Sequence, residues 1–225
     1  MHSTSEYCWL FCDDDSIMPG SVRAILEEIL THEPDLMIIN SSLYDFNMDD
    51  MLLEKSIDIN SDVIIENKSN MQDILFETCK TYLGFSGALL FKRKNWCNID
   101  SSIFYGNRFS DMCTIGKFPQ SSKVVILHHP YILIRLGNAE WSEISFKVWY
   151  EYYPSAIKEH SILSDRVIDI LVPDTLIWNL KFLLWYRATD SYKVSQYKAF
   201  MKNKNCILRT ISLLILLLPP ISLRL

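Results

Sequence analysis

The alternation of apolar runs with polar breaks along the chain predicts an α/β sheet. Residues 7–12 form a short apolar run rich in aromatic side chains, which indicates a buried strand, and three consecutive aspartates follow it. After Pro19-Gly20, apolar residues recur at helical spacing at Val22, Ile25, Leu26, Ile29 and Leu30. Residues 36–39 are again continuously apolar. Strand, acidic loop, helix and strand in this order are typical of α/β proteins.

Weaker patterns organise the rest of the chain. The polar stretch 40–66 predicts a loop with room for one short strand, and residues 71–79 predict a helix capped by Ser69 or Asn70. Further strands are expected at 85–91, 124–127 and 131–134, a helix over 110–118, and helices from 143 almost to the end. We expect the first strand to lie in the middle of its sheet. The pattern divides the chain into an α/β domain over 1–150 and a helical region over 151–225.

Composition and charge narrow the possible partners. Hydrophobic residues make up 49% and charged residues 22%, which excludes global disorder. A net charge of −5 argues against a nucleic-acid partner, since that requires a dense basic surface. No signal-peptide pattern opens the chain, and the six cysteines form neither a CxxC pair nor a zinc spacing, which indicates a cytoplasmic protein with reduced thiols.

The C-terminal region differs in charge from the body. Residues 181–225 contain eight of the 22 Lys and Arg but only one acid, Asp190. The apolar run 211–218 is cut short by Pro219-Pro220, whereas a spanning helix needs about 20 apolar residues. Basic and apolar helices of this kind lie on anionic membrane surfaces. The alternative is that these helices pack on the body with their Lys and Arg in solvent.

Three aspartates at the end of an apolar strand point to a bound cation. Neighbouring carboxylates at Asp13, Asp14 and Asp15 repel one another unless a cation lies among them. Mg²⁺ or Mn²⁺ accepts oxygen ligands and keeps positions open for phosphate oxygens, where it offsets the charge of a diphosphate leaving group. The other interpretation is that Asp15 caps the following helix while Asp13 and Asp14 are solvated.

Three sequence blocks resemble glycosyltransferase family 2. They are residues 7–22 (YCWLFCDDDSIMPGSV), 84–96 (GFSGALLFKRKNW) and 135–141 (RLGNAEW), and they occur in the family's order. The first looks like the DxD segment, and the similarity is greatest to the abequosyltransferase-like branch that assembles O-antigen. The resemblance covers about residues 5–150.

The resemblance implies a truncated GT-A fold, that is, a Rossmann-like nucleotide-diphospho-sugar transferase sheet with a helical C-terminal region. It implies inverting, metal-dependent transfer of a hexose or deoxyhexose from a nucleotide-sugar donor to a lipid-linked saccharide acceptor, as in lipopolysaccharide O-antigen synthesis. The protein would then be cytoplasmic and peripheral on the inner leaflet of the cell membrane. Mg²⁺ or Mn²⁺ would be the cofactor.

The same resemblance implies roles for individual residues. Asp13 and Asp15 would bind the metal, and Asp13 and Asp14 would contact the donor. Asp111 would be the catalytic base, although a first-turn acid of a helix is an equal alternative. Arg135 and Asn138 would lie over the donor, where an arginine can neutralise phosphate.

Two departures from the family pattern keep other functions open. Cys12 replaces the usual glycine before the acidic run, and the family's N-terminal nucleotide-binding segment has no counterpart in these residues. An inactive remnant or a membrane-bound scaffold is therefore one alternative. A phosphohydrolase of the haloacid dehalogenase type is another, but Ile17 stands where its motif requires Thr or Val.

Overall fold

A seven-stranded mixed sheet forms the body of the protein. The structure is a computed structural model that describes residues 3–137, 144–160, 162–201 and 204–219. The strands are β1 (Tyr7–Trp9), β2 (Ser16–Ile17), β3 (Leu36–Tyr44), β4 (Met51–Leu53), β5 (Val63–Ile65), β6 (Leu89–Lys92) and β7 (Val124–Arg135). They are ordered β1-β6-β3-β7-β2, with β4 beside β3 and β5 beside β7. Only β3 and β7 pair in parallel among these strands.

Helices cover both faces of the sheet and form the C-terminal region. They are α1 (Ser21–His32), α2 (Met71–Cys79), α3 (Arg93–Cys97), α4 (Ser110–Ile115), α5 (Ser145–Lys147), α6 (Tyr153–His160), α7 (Asp165–Leu171), α8 (Leu176–Ala188), α9 (Val194–Gln196) and α10 (Cys206–Leu217). The α/β prediction and the helices expected after residues 20 and 70 are confirmed. Asn70 takes the N-cap position of α2, but its side chain makes no capping hydrogen bond.

The expectation that the first strand lies in the middle of the sheet is wrong. β1 is at one end of the strand order, and its partner among the described strands is β6. β6 pairs antiparallel with β1 on one side and with β3 on the other, so it lies between these two strands in the sheet although it follows both of them in the chain. The 84–88 segment that precedes β6 forms 3₁₀ turns rather than the start of a strand.

The polar stretch after residue 40 contains more strand than its composition predicts. β3 continues to Tyr44, and both β4 and β5 lie within the expected loop. Asn40, Ser41 and Ser42 are buried in β3 although they are polar. Ser41 Oγ lies 2.8 Å from Ser56 Oγ, and Ser42 Oγ donates to Glu54 O at 2.7 Å. The segment before residue 57 therefore supplies hydrogen-bond partners to these polar side chains. A polar strand can be buried when its side chains are hydrogen-bonded in this way.

Asn40 also marks an irregularity between the two parallel strands. Ile38 pairs with Ile126 but Asn40 pairs with Pro130, so β7 carries extra residues at this point and continues as one strand. The Asn40 amide fills the gap: Nδ2 donates to Ile57 O (2.9 Å) and His128 O (3.0 Å). Its Oδ1 accepts from the backbone N–H groups of Ser41 and Ile57, both at 2.9 Å. One side chain thus hydrogen-bonds the irregular point of β7 to the segment that follows β4.

Alternate residues of the central strands supply two cores. Leu36 and Ile38 face the main core, which includes apolar residues of α2, α4, α6 and α7, while Met37 and Ile39 face a smaller core beneath α1. A third cluster joins Phe146 to α8, α10 and the segment between them. α6 and α7 contribute side chains to the main core. The region after residue 150 therefore packs against the sheet through these two helices. The division at residue 150 stays a prediction.

Candidate functional site

The loop after β1 brings three potential metal ligands together. Cys12 Sγ and one carboxylate oxygen each of Asp14 and Asp15 lie within 4.8 Å of one another. Cys12 and Asp15 are partly buried, whereas Asp14 is exposed. Asp13, which the family resemblance pairs with Asp15, is exposed and is not part of this group. Two carboxylates and a thiol at these distances are compatible with the coordination of a single divalent ion.

The carboxyl end of β7 holds Asp15 in place. The backbone N–H of Arg135 donates to Asp15 Oδ1 at 3.3 Å. Burial raises the pKa of Asp15, and the negative charge of Asp14 raises it further, while the hydrogen bond from Arg135 and the guanidinium charge lower it. Burial also raises the pKa of the Cys12 thiol, and the negative charges of Asp15 and Asp14 raise it further. The protein alone thus disfavours the charged forms of these groups, and a bound cation would favour them.

The side chain of Arg135 is a positively charged group whose Nε has no hydrogen-bond partner in the described structure. This nitrogen is also buried. A buried guanidinium donor left in this way is costly, and the oxygen of an anionic ligand would satisfy it. Asn138, also predicted to contact the donor, lies outside the described residues.

The 3₁₀ turn Ser86–Ala88, just before β6, lies between the acidic loop and Asp111. The Trp9 indole Nε1 donates to Gly87 O at 2.8 Å, and the backbone of Gly87 lies close enough to the Cys12 thiol to lower the pKa of that thiol. The adjacent Ser86 Oγ donates to Asp111 Oδ2 at 2.6 Å. Asp111 lies in the first turn of α4, as the sequence indicates, and this contact directs its side chain toward the segment that carries Gly87.

The structure therefore groups residues that the sequence places far apart. Asp15 lies beside Asp14 and accepts a hydrogen bond from the backbone of Arg135, and Asp111 accepts one from Ser86, the neighbour of Gly87. The roles assigned to these residues stay predictions. Sequence reasoning identifies Cys12 only as a departure from the family's glycine, and it does not identify Ser86. The position of Ser86 within the second family-like block was the available signal.

Comparison with known proteins supports the fold but not a sequence family. The sequence matches no protein-family model, and no curated protein matches it significantly. The structure of S. aureus TarS 1–349 in complex with UDP-GlcNAc matches with a TM-score of 0.50 at 11% identity, covering 95% of this chain and 56% of that chain. The same protein in complex with UDP matches with a TM-score of 0.46 at 12% identity, covering 91% of this chain and 52% of that chain.

At this level of identity the match concerns the fold alone. The chain spans about half the length of the TarS chain that it matches, with 56% of that chain covered. The fold is a mixed α/β sheet with a helical C-terminal region, and it is GT-A-like, as the sequence resemblance implies.

Proposed function

We propose that this chain is part of a glycosyltransferase that transfers a sugar from a nucleotide-diphosphate donor with the help of a divalent metal ion. The observation that carries the proposal is the meeting of Asp14, Asp15 and Cys12 beside Arg135. Carboxylates that could hold a cation adjoin Arg135, whose buried Nε has no hydrogen-bond partner in the described part of the chain. This is the charge arrangement that a metal diphosphate requires. The GT-A-like fold supports this interpretation.

The chain's own residues would divide the chemistry of an inverting transfer. A divalent ion, Mg²⁺ or Mn²⁺, would supply positive charge that stabilises the departing diphosphate. Arg135 would donate to a phosphate oxygen, and Asp13 and Asn138 are proposed to contact the donor. Asp111 would accept the proton of the acceptor hydroxyl as that oxygen bonds to the anomeric carbon. The bond from that carbon to the diphosphate oxygen breaks at the same time, and the nucleoside diphosphate leaves with the electron pair.

A uridine diphosphate sugar is the first donor to test, because TarS was crystallised with UDP-GlcNAc and with UDP. We expect UDP to bind this protein only weakly without a divalent ion and to bind well with Mn²⁺. Isothermal titration calorimetry with UDP and UDP-GlcNAc, with and without Mn²⁺, measures both. Since loss of even an indirect metal contact costs about 10–100-fold in affinity, Asp15→Asn should weaken Mn²⁺-dependent binding by at least tenfold.

Substitutions of three other aspartates test whether the effect is specific to the proposed metal ligands. Asp13→Asn tests the ligand pair that the family resemblance implies, and Asp14→Asn tests the grouping seen in the structure. Asp50→Asn, at an exposed turn before β4, is the control and should leave binding unchanged. The proposal would be contradicted if the affinity for UDP were the same with and without Mn²⁺, or if Asp15→Asn left that affinity unchanged.

We also propose that the acceptor is a lipid-linked glycan of the O-antigen type and that the C-terminal helices contact an anionic membrane at the inner leaflet. α8 and α10 pack together and expose large apolar side chains: Ile177, Trp185, Ile207, Leu213, Leu214 and Leu217. Lys181 and Arg209 are exposed on the same two helices. Apolar side chains beside basic groups suit a surface of anionic headgroups over acyl chains. Among the described residues, no helix combines the length and apolar character needed to cross a bilayer.

Flotation on liposomes tests the membrane contact. We expect recovery with vesicles that contain anionic lipid, and a loss of about fivefold in partitioning for each of Lys181→Gln and Arg209→Gln, because each basic group near the surface contributes about 1 kcal/mol. Leu217→Ser should reduce recovery. Leu30→Ser is the matched control, since Leu30 and Leu217 are both 79% exposed but Leu30 lies on α1 beside Glu27. Equal behaviour of the two serine variants, or equal recovery on zwitterionic vesicles, would refute the contact.

A further inference from the structure

An aromatic cavity lies between α8 and the turn that leads into α6. Its volume is about 300 Å³, at the lower end of the range of about 300–1,000 Å³ that small-molecule sites occupy. The aromatic part of its lining consists of Trp149, Tyr153, Trp178, Phe182, Trp185 and Tyr186. Trp185 is 67% exposed, so the cavity has a wall at the protein surface and a small molecule can reach it from solvent.

The lining of this cavity includes a polar group without a partner. Tyr153 is 4% exposed, and its Oη is buried with no hydrogen-bond partner among the residues that the structure describes. Tyr192, which is 0% exposed, differs because its Oη donates to Ser212 O at 3.4 Å. A buried hydroxyl left unpaired costs folding free energy, and tyrosines in such places usually have a partner. An oxygen of a ligand in the cavity would supply the partner that Tyr153 lacks.

The cavity adjoins the helix that carries Asp111. The ring of Phe109 lies 5.5 Å from the Trp149 ring and 5.4 Å from the Tyr153 ring, measured between centroids. Phe109 is the N-cap residue of α4, two positions before Asp111, and its ring packs against Gly84 on its other side. One aromatic side chain therefore lies between the wall of the cavity and the start of the helix that carries the proposed base.

We propose that the cavity binds a sugar unit of the acceptor glycan, other than the unit that receives the transferred sugar. The inference rests on the proposed function, because it assigns the cavity to the acceptor of that reaction. A pyranose ring has C–H groups on its faces and hydroxyl groups at its edge. It can therefore pack on aromatic rings while one of its oxygens accepts a hydrogen bond from Tyr153. A hydrocarbon chain would also pack on the rings, but it would leave the Tyr153 hydroxyl unpaired.

Saturation-transfer difference NMR tests the cavity without any assay of transferase activity. The probes are the methyl glycosides of glucose, galactose, rhamnose and N-acetylglucosamine, each added to the full chain. We expect saturation transfer to the ring C–H protons of at least one glycoside, with a dissociation constant of about 1 mM, as is typical of a ligand with so few atoms. Cyclohexane is the comparison probe, because it is a ring of similar size without oxygen atoms.

Tyr153→Phe separates a sugar site from packing alone. The substitution removes only a hydroxyl that has no partner in the described part of the protein, so the free energy of unfolding should stay the same or rise. The affinity for the glycoside should fall by about tenfold, because the hydrogen bond to the sugar is lost. The affinity for cyclohexane should rise, since no unpaired hydroxyl remains beside it.

Two further variants complete the comparison. Tyr192→Phe is the matched control, because the hydroxyl of Tyr192 has a protein partner. It should lower the free energy of unfolding and leave glycoside binding unchanged. Trp178→Leu keeps the lining apolar but removes a ring that stacks on Phe182 at 5.0 Å, and it should weaken glycoside binding. Circular dichroism checks that each variant folds.

The outcomes distinguish this inference from the proposed function. The inference is overturned if none of the glycosides shows saturation transfer, if Tyr153→Phe leaves glycoside affinity unchanged, or if cyclohexane binds more tightly than every glycoside. If UDP binds with Mn²⁺ while no glycoside binds, the proposed function stands and the cavity is not an acceptor site. If a glycoside binds in dependence on Tyr153 but UDP does not bind, the cavity is a sugar site and the proposed transfer reaction is wrong.

Discussion

Replacement of Asn40 by alanine should destabilise the protein strongly, because this one amide satisfies four backbone groups. Asn40 is 0% exposed, and its side chain bonds to the N–H and the carbonyl of Ile57, to the carbonyl of His128 and to the N–H of Ser41. Two of these partners lie in the segment that follows β4, and a third lies at the irregular point of β7. The substitution leaves all four groups without the amide, three of them in buried contacts and the His128 carbonyl in a partly buried one.

The hydrogen bonds set the expected magnitude. A typical hydrogen bond contributes about 1 kcal/mol net to folding, and a buried group left unpaired costs about 1–3 kcal/mol. Four lost contacts therefore give a decrease of about 4 kcal/mol in the free energy of unfolding if water enters the vacated space and recovers part of the loss. Few single substitutions exceed about 4–5 kcal/mol, so this value is near the upper end of the observed range.

Urea denaturation followed by tryptophan fluorescence measures the effect. With a denaturant slope of about 1–3 kcal/mol per molar urea, the midpoint should fall by more than about 1 M. Asn60→Ala, at an exposed position in the same connecting segment, should change the free energy of unfolding by less than about 0.5 kcal/mol. A decrease below about 1 kcal/mol for Asn40→Ala would refute the argument that this amide stabilises the irregular pairing of β3 and β7.

Two further predictions concern Asp111 and the packing at Gly84. Asp111→Asn should lower the rate of sugar transfer, or of donor hydrolysis, by about 10²–10⁴-fold, as expected for loss of a general base. Mn²⁺-dependent UDP binding should stay unchanged. A similar loss of UDP binding would show that Asp111 acts structurally. Gly84→Ala should destabilise by about 1–3 kcal/mol, because a Cβ there would lie 2.6 Å from Cε1 of Phe109, whose ring is 6% exposed. In a double-mutant cycle, Phe109→Leu should reduce the cost of Gly84→Ala, and additive costs would contradict the clash.

Local patterns in the sequence were sufficient for several elements. The helical spacing from Val22 to Leu30 predicts α1, and the continuous apolar run 36–39 predicts the buried part of β3. These elements could be predicted because the periodicity of a helix and the apolarity of a doubly covered strand are properties of neighbouring residues. The three aspartates after the first strand are equally visible in the sequence, since their repulsion is local.

The positions of strands depended on contacts that no local pattern records. β1 is at the edge because β6, some 80 residues later in the chain, takes the place between β1 and β3. The polar residues Asn40, Ser41 and Ser42 indicate a loop by composition, yet they are buried because the segment 54–57 supplies their hydrogen-bond partners. Burial of a polar side chain follows from its partners, which the surrounding sequence does not reveal.

The candidate site shows the same division between sequence and tertiary structure. The sequence by itself determined the α/β class and the presence of a carboxylate cluster after an apolar strand. Only the tertiary structure placed Arg135 against Asp15, joined Ser86 to Asp111, and directed the thiol of Cys12 toward two carboxylates. Residues 120 positions apart meet because β7 ends beside the acidic loop, and that meeting depends on the sheet order and the register of its strands.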